Sequence, residues 1–112
     1  MSTTITSHVL NGVDGSHAGG LPVRLVERKS GETLSQSKTE DGGRMALTVD
    51  VTDYPLDCEL VIETLDYWRQ RDIAGPHLIE EIVLRFRISA PDERIHMPVI
   101  MSPYSYSTWK SN

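Results

Sequence analysis

The sequence predicts a two-sheet β-sandwich, and three observations carry that prediction. Several stretches alternate apolar and polar residues with a period of two, the pattern of a strand with one buried face. Clusters of Gly, Asn, Asp, Ser and Pro punctuate those stretches at nearly regular intervals. Only one short segment, Thr64 to Ile73, breaks the alternation in a way that fits a helix. With 112 residues, the chain buries roughly two-thirds of its unfolded surface. That suffices for one core and one domain over residues 1–112, and not for a large α/β enzyme.

Taken in order, Ile5 to Leu10 is the first candidate strand, and the turn-rich run from Gly12 to Gly20 is a loop. Leu21 to Glu27 follows, with Leu21, Val23 and Leu25 on one face. Glu32 to Lys38 is a weak, polar strand candidate. After the Asp41-Gly42-Gly43 turn, Met45, Leu47, Val49 and Val51 alternate with Arg44, Ala46, Thr48 and Asp50. Cys58, Leu60, Ile62 and Thr64 repeat the pattern. Asp66 is placed to cap a short helix running through Trp68 and Arg71, with Gly75-Pro76 ending it. Ile82, Leu84, Phe86 and Ile88 form the next apolar set, then Ile95, Met97, Val99 and Met101. Ser102-Pro103 interrupts, and Tyr104 to Lys110 is the last strand. Cys58 and the Tyr67-Trp68 pair read as core.

Composition narrows the function. Lys plus Arg is 11 and Asp plus Glu is 16, a net charge of −5, which disfavours nucleic acid as a partner. No stretch approaches the ~20 apolar residues of a membrane span, and no basic segment leads into an apolar signal run. A single cysteine, Cys58, allows no intrachain disulfide and no thiolate zinc site. These features point to a cytosolic protein without a nucleic-acid or membrane partner, and no metal or cofactor is expected.

Phosphate-binding loops, nucleophile elbows and HExxH helices are absent from the sequence. The residues that can carry chemistry are His8 within the first strand, Arg44 directly after the double glycine, and His96 on the polar face of the penultimate strand. Each taken singly reads most simply as a surface residue, and His17 and His77 read as loop or structural histidines. Together, His8 and His96 offer groups that titrate near neutrality. Arg44 offers a fixed planar cation suited to an oxyanion or an anionic ureide.

The residues Ser7-His8-Val9-Leu10, Asp41-Gly42-Gly43-Arg44, Leu60 to Trp68, His96-Met97-Pro98 and Ser102-Pro103-Tyr104-Ser105-Tyr106-Ser107-Thr108 resemble 5-hydroxyisourate hydrolase, the enzymatic branch of the transthyretin-like family. The resemblance covers nearly the whole chain. It implies a transthyretin-like sandwich of two four-stranded sheets with one short helix. It also implies hydrolysis of a small cyclic amide in urate degradation, and a homotetramer with sites where two dimers meet. His8, Arg44 and His96 fall at the family's catalytic positions. Arg94 stands where the family has a first histidine of a His-x-His pair. Trp109, Lys110, Ser111 and Asn112 replace the family's terminal Tyr-Arg-Gly-Ser, so these five residues are the expected substrate-binding positions that differ. Those differences keep two rival readings in view: an enzyme acting on another heterocycle, and a carrier that binds without turnover.

Overall fold

Two β-sheets stack face to face in a computed structural model that describes residues 2–71, 73, 75–91 and 93–111. The strands are β1 (Ser2–Asn11), β2 (Pro22–Glu27), β3 (Thr33–Lys38), β4 (Arg44–Asp50), β5 (Leu56–Glu63), β6 (Glu81–Ile88), β7 (Arg94–His96), β8 (Val99–Ser102) and β9 (Ser105–Thr108). Helix α1 (Leu65–Arg69) lies between β5 and β6. One sheet runs β4-β1-β8-β9, with β7 also paired to β1. The other runs β3-β2-β5-β6.

The alternation seen in the sequence becomes the sandwich directly. In β1 the odd positions Thr3, Ile5, Ser7 and Val9 are buried and the even ones face outward. β4 buries Met45, Leu47 and Val49. β5 buries Cys58, Leu60 and Ile62 against Ile82, Leu84 and Ile88 of β6. Trp68 of α1, 2% exposed, closes one end of this core. Burial pushes the Cys58 thiol up to about 12, with Asp57 and Glu59 adding to the shift, so it remains a protonated apolar side chain.

Two elements differ from expectation in their details. The stretch from Ile95 to Met101 is two strands. β7 and β8 both run parallel to β1, at Thr4–Thr6 and Val9–Asn11, with Met97-Pro98 between them. Pro98 has no N–H to give to a ladder. The chain there is held instead by Met97 N donating to Thr6 O (3.0 Å), Ser7 Oγ to Met97 O (2.7 Å) and Thr108 Oγ1 to Pro98 O (2.9 Å). Counted by position, that sheet is four strands wide, as expected.

The helix starts two residues earlier than the sequence indicates. Thr64 is its N-cap and makes no side-chain cap bond. Asp66 lies inside the first turn, where its carboxylate complements the positive end of the helix dipole. The helix ends at Arg69, well before Gly75-Pro76. Five residues are too few for intrinsic helix stability. Burial of Tyr67 and Trp68, edge to face at 5.1 Å, holds the turn in place.

Asn11 anchors the loop that follows β1. Its buried amide donates to the Tyr67 hydroxyl (3.1 Å), and its Oδ1 accepts from Val13 N (2.8 Å). In denaturant titration, Leu60→Ala at the centre of β5 should lose about 2–5 kcal/mol of stability, as deletion of a fully buried leucine does.

Candidate active site

The outward face of the β1 sheet collects the predicted chemistry. Antiparallel pairing sets His8 of β1 directly opposite Arg44 of β4. Cross-strand neighbours of this kind have Cα atoms about 4.5–5.5 Å apart. The turn before β4 makes the juxtaposition possible. Gly43 adopts φ +78 and donates to Glu40 O (2.8 Å), while its own carbonyl accepts from Val9 N (2.8 Å). A Cβ at Gly43 would strike Val9 O and crowd Ala18 N, so this position demands glycine. Gly42, its neighbour in the turn, meets no comparable crowding.

On the other side of β1, parallel pairing puts His96 beside Thr6, two residues from His8. Thr6 Oγ1 lies 2.8 Å from His96 Nδ1, and this contact fixes the ring and leaves Nε2 free to face a ligand. A shallow cleft of about 320 Å³ runs across these strands, lined by Thr6, Ser7, Glu40, Arg44, Met45, Ala46 and His96. A larger concavity of about 520 Å³ beside α1 contains Lys38, Glu63, Asp66, Arg71, Glu80 and Glu81 but no imidazole. The cleft beside His96 is therefore the better seat for proton-transfer chemistry.

The chain end returns to the same place. Ser111 N donates to His96 O (2.8 Å) in an isolated antiparallel bridge. Trp109 and Lys110, both exposed, are carried on the segment that leads into it. Arg94 is exposed on β7, opposite Thr4 and on the same outward face as His96. Asn112 lies outside the described residues. Thus His8 lies opposite Arg44, Arg44 and His96 line the cleft, Arg94 and Ser111 neighbour His96, and Trp109 and Lys110 precede Ser111 on the exposed segment.

Two neighbours were not singled out from the sequence. Thr6 is paired with a residue ninety positions away, a contact that no local pattern records. His17 lies in the loop after β1, and its ring meets that of His8 edge to face, with centroids 5.0 Å apart.

The electrostatics favour a neutral His8. Burial, foremost, and then the Arg44 charge hold its pKa below the usual 6.5. The Gly42 backbone acts the other way, and His17 and His96 add smaller depressions. His8 Nε2 is buried and has no hydrogen-bond partner among the described residues. An imidazole that stays unprotonated with an unspent nitrogen is suited to taking a proton from a bound water. Also among the described residues, no group of three or more His, Cys, Asp or Glu side chains could hold a metal ion.

A model of the HIUase/Transthyretin family matches residues 5–111. The chain belongs to this family. Among its HIUase/Transthyretin relatives, the 5-hydroxyisourate hydrolase of Pseudomonas aeruginosa is 33% identical over 114 residues, covering 96% of this chain and 90% of the relative. The enzyme of the same name from Deinococcus radiodurans is 30% identical, covering 96% and 95%. The structure of Klebsiella pneumoniae 5-hydroxyisourate hydrolase superposes with a TM-score of 0.81 at 23% identity, over 98% of this chain and 99% of that one. That likeness shows the HIUase/Transthyretin fold, which the sandwich described above shares.

Titration of the His8 ring by NMR should give a midpoint below 6.5, and Arg44→Gln should raise it by removing the positive neighbour. Because folding favours the neutral ring, this group's share of stability is complete above pH 6.5. It is lost as the pH falls through the depressed midpoint.

Proposed function

We propose that the protein hydrolyses a small cyclic ureide, with 5-hydroxyisourate as its substrate, in the breakdown of urate. The observation that carries this reading is the placement of His8, Arg44 and His96 on one face of three adjacent strands, with Arg44 and His96 lining one cleft and His8 paired directly opposite Arg44. Relatives at 28–33% identity named 5-hydroxyisourate hydrolase support the choice of substrate.

The chemistry follows from what amide hydrolysis requires. A water adds to a ring carbonyl carbon and gives up a proton, the carbonyl oxygen becomes an oxyanion, and the C–N bond then breaks. The leaving nitrogen takes a proton, and the product carries a new carboxylate. Neutral His8 accepts the proton from water through Nε2. Arg44 meets the oxyanion with planar, permanently charged donors. His96, its Nδ1 engaged by Thr6, serves the leaving nitrogen from the other side of β1.

Arg94 and the segment from Trp109 to Asn112 set the far wall of the site in this reading. Arg94 lies two residues from His96, or about 6.6 Å along the strand. A fixed cation there favours a substrate bearing an anionic group, which keeps a modified heterocycle as the second reading. Lys110 supplies charge without a guanidinium fork, and Trp109 presents a broad aromatic face at 48% exposure.

We further assign a homotetramer with sites shared between facing dimers. The two outer faces differ in a way that supports it. Four ion-pair contacts, Arg24–Glu63, Arg24–Glu81, Arg85–Glu59 and Arg87–Asp57, cover the β2-β5-β6 face. None of them lies on the face with the cleft, where Thr4, Thr6, Ala46, Thr48 and the exposed Ile100 are uncharged. The free, buried Cys58 fits action in the reducing cytosol.

The test is a stopped-flow absorbance assay with freshly generated 5-hydroxyisourate. The wild-type protein should consume it well above the spontaneous rate, and His96→Ala should lose 10²-fold or more, the scale of a lost proton-transfer group. A wild-type rate equal to the spontaneous one would overturn the assignment. Light scattering on the same sample should give about four times 12.6 kDa.

A further inference from the structure

The loop after β1 brings a third imidazole to the site. Its backbone is held on both sides of His17. Asn11 N donates to Ser16 O (2.8 Å), Ala18 N donates to Val9 O (2.9 Å), and Thr39 Oγ1 donates to Ala18 O (2.7 Å). His17 itself forms an antiparallel bridge with Leu10. Residues paired across such a bridge point to the same side of a sheet. The Leu10 side is the outward one, which His8 shares, two positions away. The result is the contact already noted, with ring centroids 5.0 Å apart and planes at 89°. On its far side, His17 Nδ1 is 3.9 Å from where a Cβ at Gly42 would stand, so the ring sits over the turn that presents Arg44.

We propose that His17 is a positioning residue for His8, orienting its ring by edge-to-face contact and tuning its basicity through its own charge. The proposal rests on the hydrolase reading above, with His8 as the base. Edge-to-face packing restricts rotation of the His8 ring, whose Nε2 is left without a hydrogen-bond partner among the described residues. When His17 gains a proton, a positive charge stands about 5 Å from the His8 ring. Like charges at that separation disfavour protonation of His8. His8 therefore stays neutral further into the acid range than burial and Arg44 alone would allow. His17 is exposed, whereas His8 is half-buried. The other charged and titratable groups around the pair are Arg44 of β4 and His96 of β7, with Glu40 and Asp41 in the turn before β4. Asp14 of the same loop is engaged with Ser16 (2.6 Å).

Two variants separate ring from charge. His17→Phe keeps an aromatic edge and cannot titrate, while His17→Ala removes both. The full chain is measured twice: by NMR titration of the His8 imidazole, and by the pH dependence of kcat/KM for 5-hydroxyisourate. In His17→Phe the His8 midpoint should rise by about half a pH unit, the size of a unit charge at 5 Å in a largely aqueous surround. The acid limb of kcat/KM should move up with it. At pH 8 and above, His17→Phe should retain several-fold more activity than His17→Ala, because the ring contact persists. An unmoved His8 midpoint in His17→Phe overturns the proposal, and so does equal activity of the two variants at high pH. Absence of turnover by the wild type would instead remove the hydrolase reading, and the His8 midpoint would still decide whether the two rings are coupled.

Discussion

The structure depends on β1 being paired along its length on both edges. β4 lies antiparallel on one side, and β7 and β8 lie parallel on the other. This interior position imposes two tasks on one ten-residue strand. Its odd residues turn inward to the core, and its even residues face outward, where Thr6 lines the cleft and His8 meets Arg44. A slip of one position would bury His8 and expose Ile5 and Val9. The full burial of Ile5 and Val9, with Ser7 Oγ bonded to Met97 O, therefore fixes the register that puts His8 opposite Arg44 and Thr6 beside His96. Packing energy, far larger than any contact within the cleft, locks the geometry of the chemistry.

The two outer faces show how one sandwich reconciles solubility with recognition. Charged side chains cross-link the β2-β5-β6 face in cross-strand pairs that are individually weak because they are exposed. Their main effect is to make that face a poor surface for apolar association. The opposite face carries few charges apart from Arg44, Arg94 and Asp50. Charge is thus concentrated where a polar substrate would be bound and is otherwise withheld.

Most of the fold was legible because half-buried strands write their period into the residues. β4, β5 and β6 are visible in alternating Met, Leu, Val and Ile. The break between β7 and β8 was hidden, since Met97 and Pro98 continue the alternation even though Pro98 cannot join the ladder. The helix start was misjudged because Asp66 has the chemistry of a cap, whereas the backbone places Thr64 there. In the site, His8, Arg44 and His96 stood out by residue type and by resemblance. Thr6 and His17 did not. Parallel pairing joins residues far apart in sequence, and the loop after β1 has no period from which a direction can be read. One signal was available for His17: a histidine in a loop that must double back along the strand bearing His8.

The bridge between Ser111 and His96 separates two kinds of change. Ser111 touches β7 through a main-chain hydrogen bond to His96 O, which any residue but proline can supply. The side chains of Trp109 and Lys110 are exposed, that of Ser111 is half-buried, and none of the three belongs to the buried core. Substitution along Trp109, Lys110 and Ser111 can therefore reshape the wall of the cleft without taxing the stability of the sandwich. In evolutionary terms the scaffold and the cleft wall are loosely coupled, and a lineage can vary Trp109, Lys110 and Ser111 while His8 stays on β1 and His96 on β7.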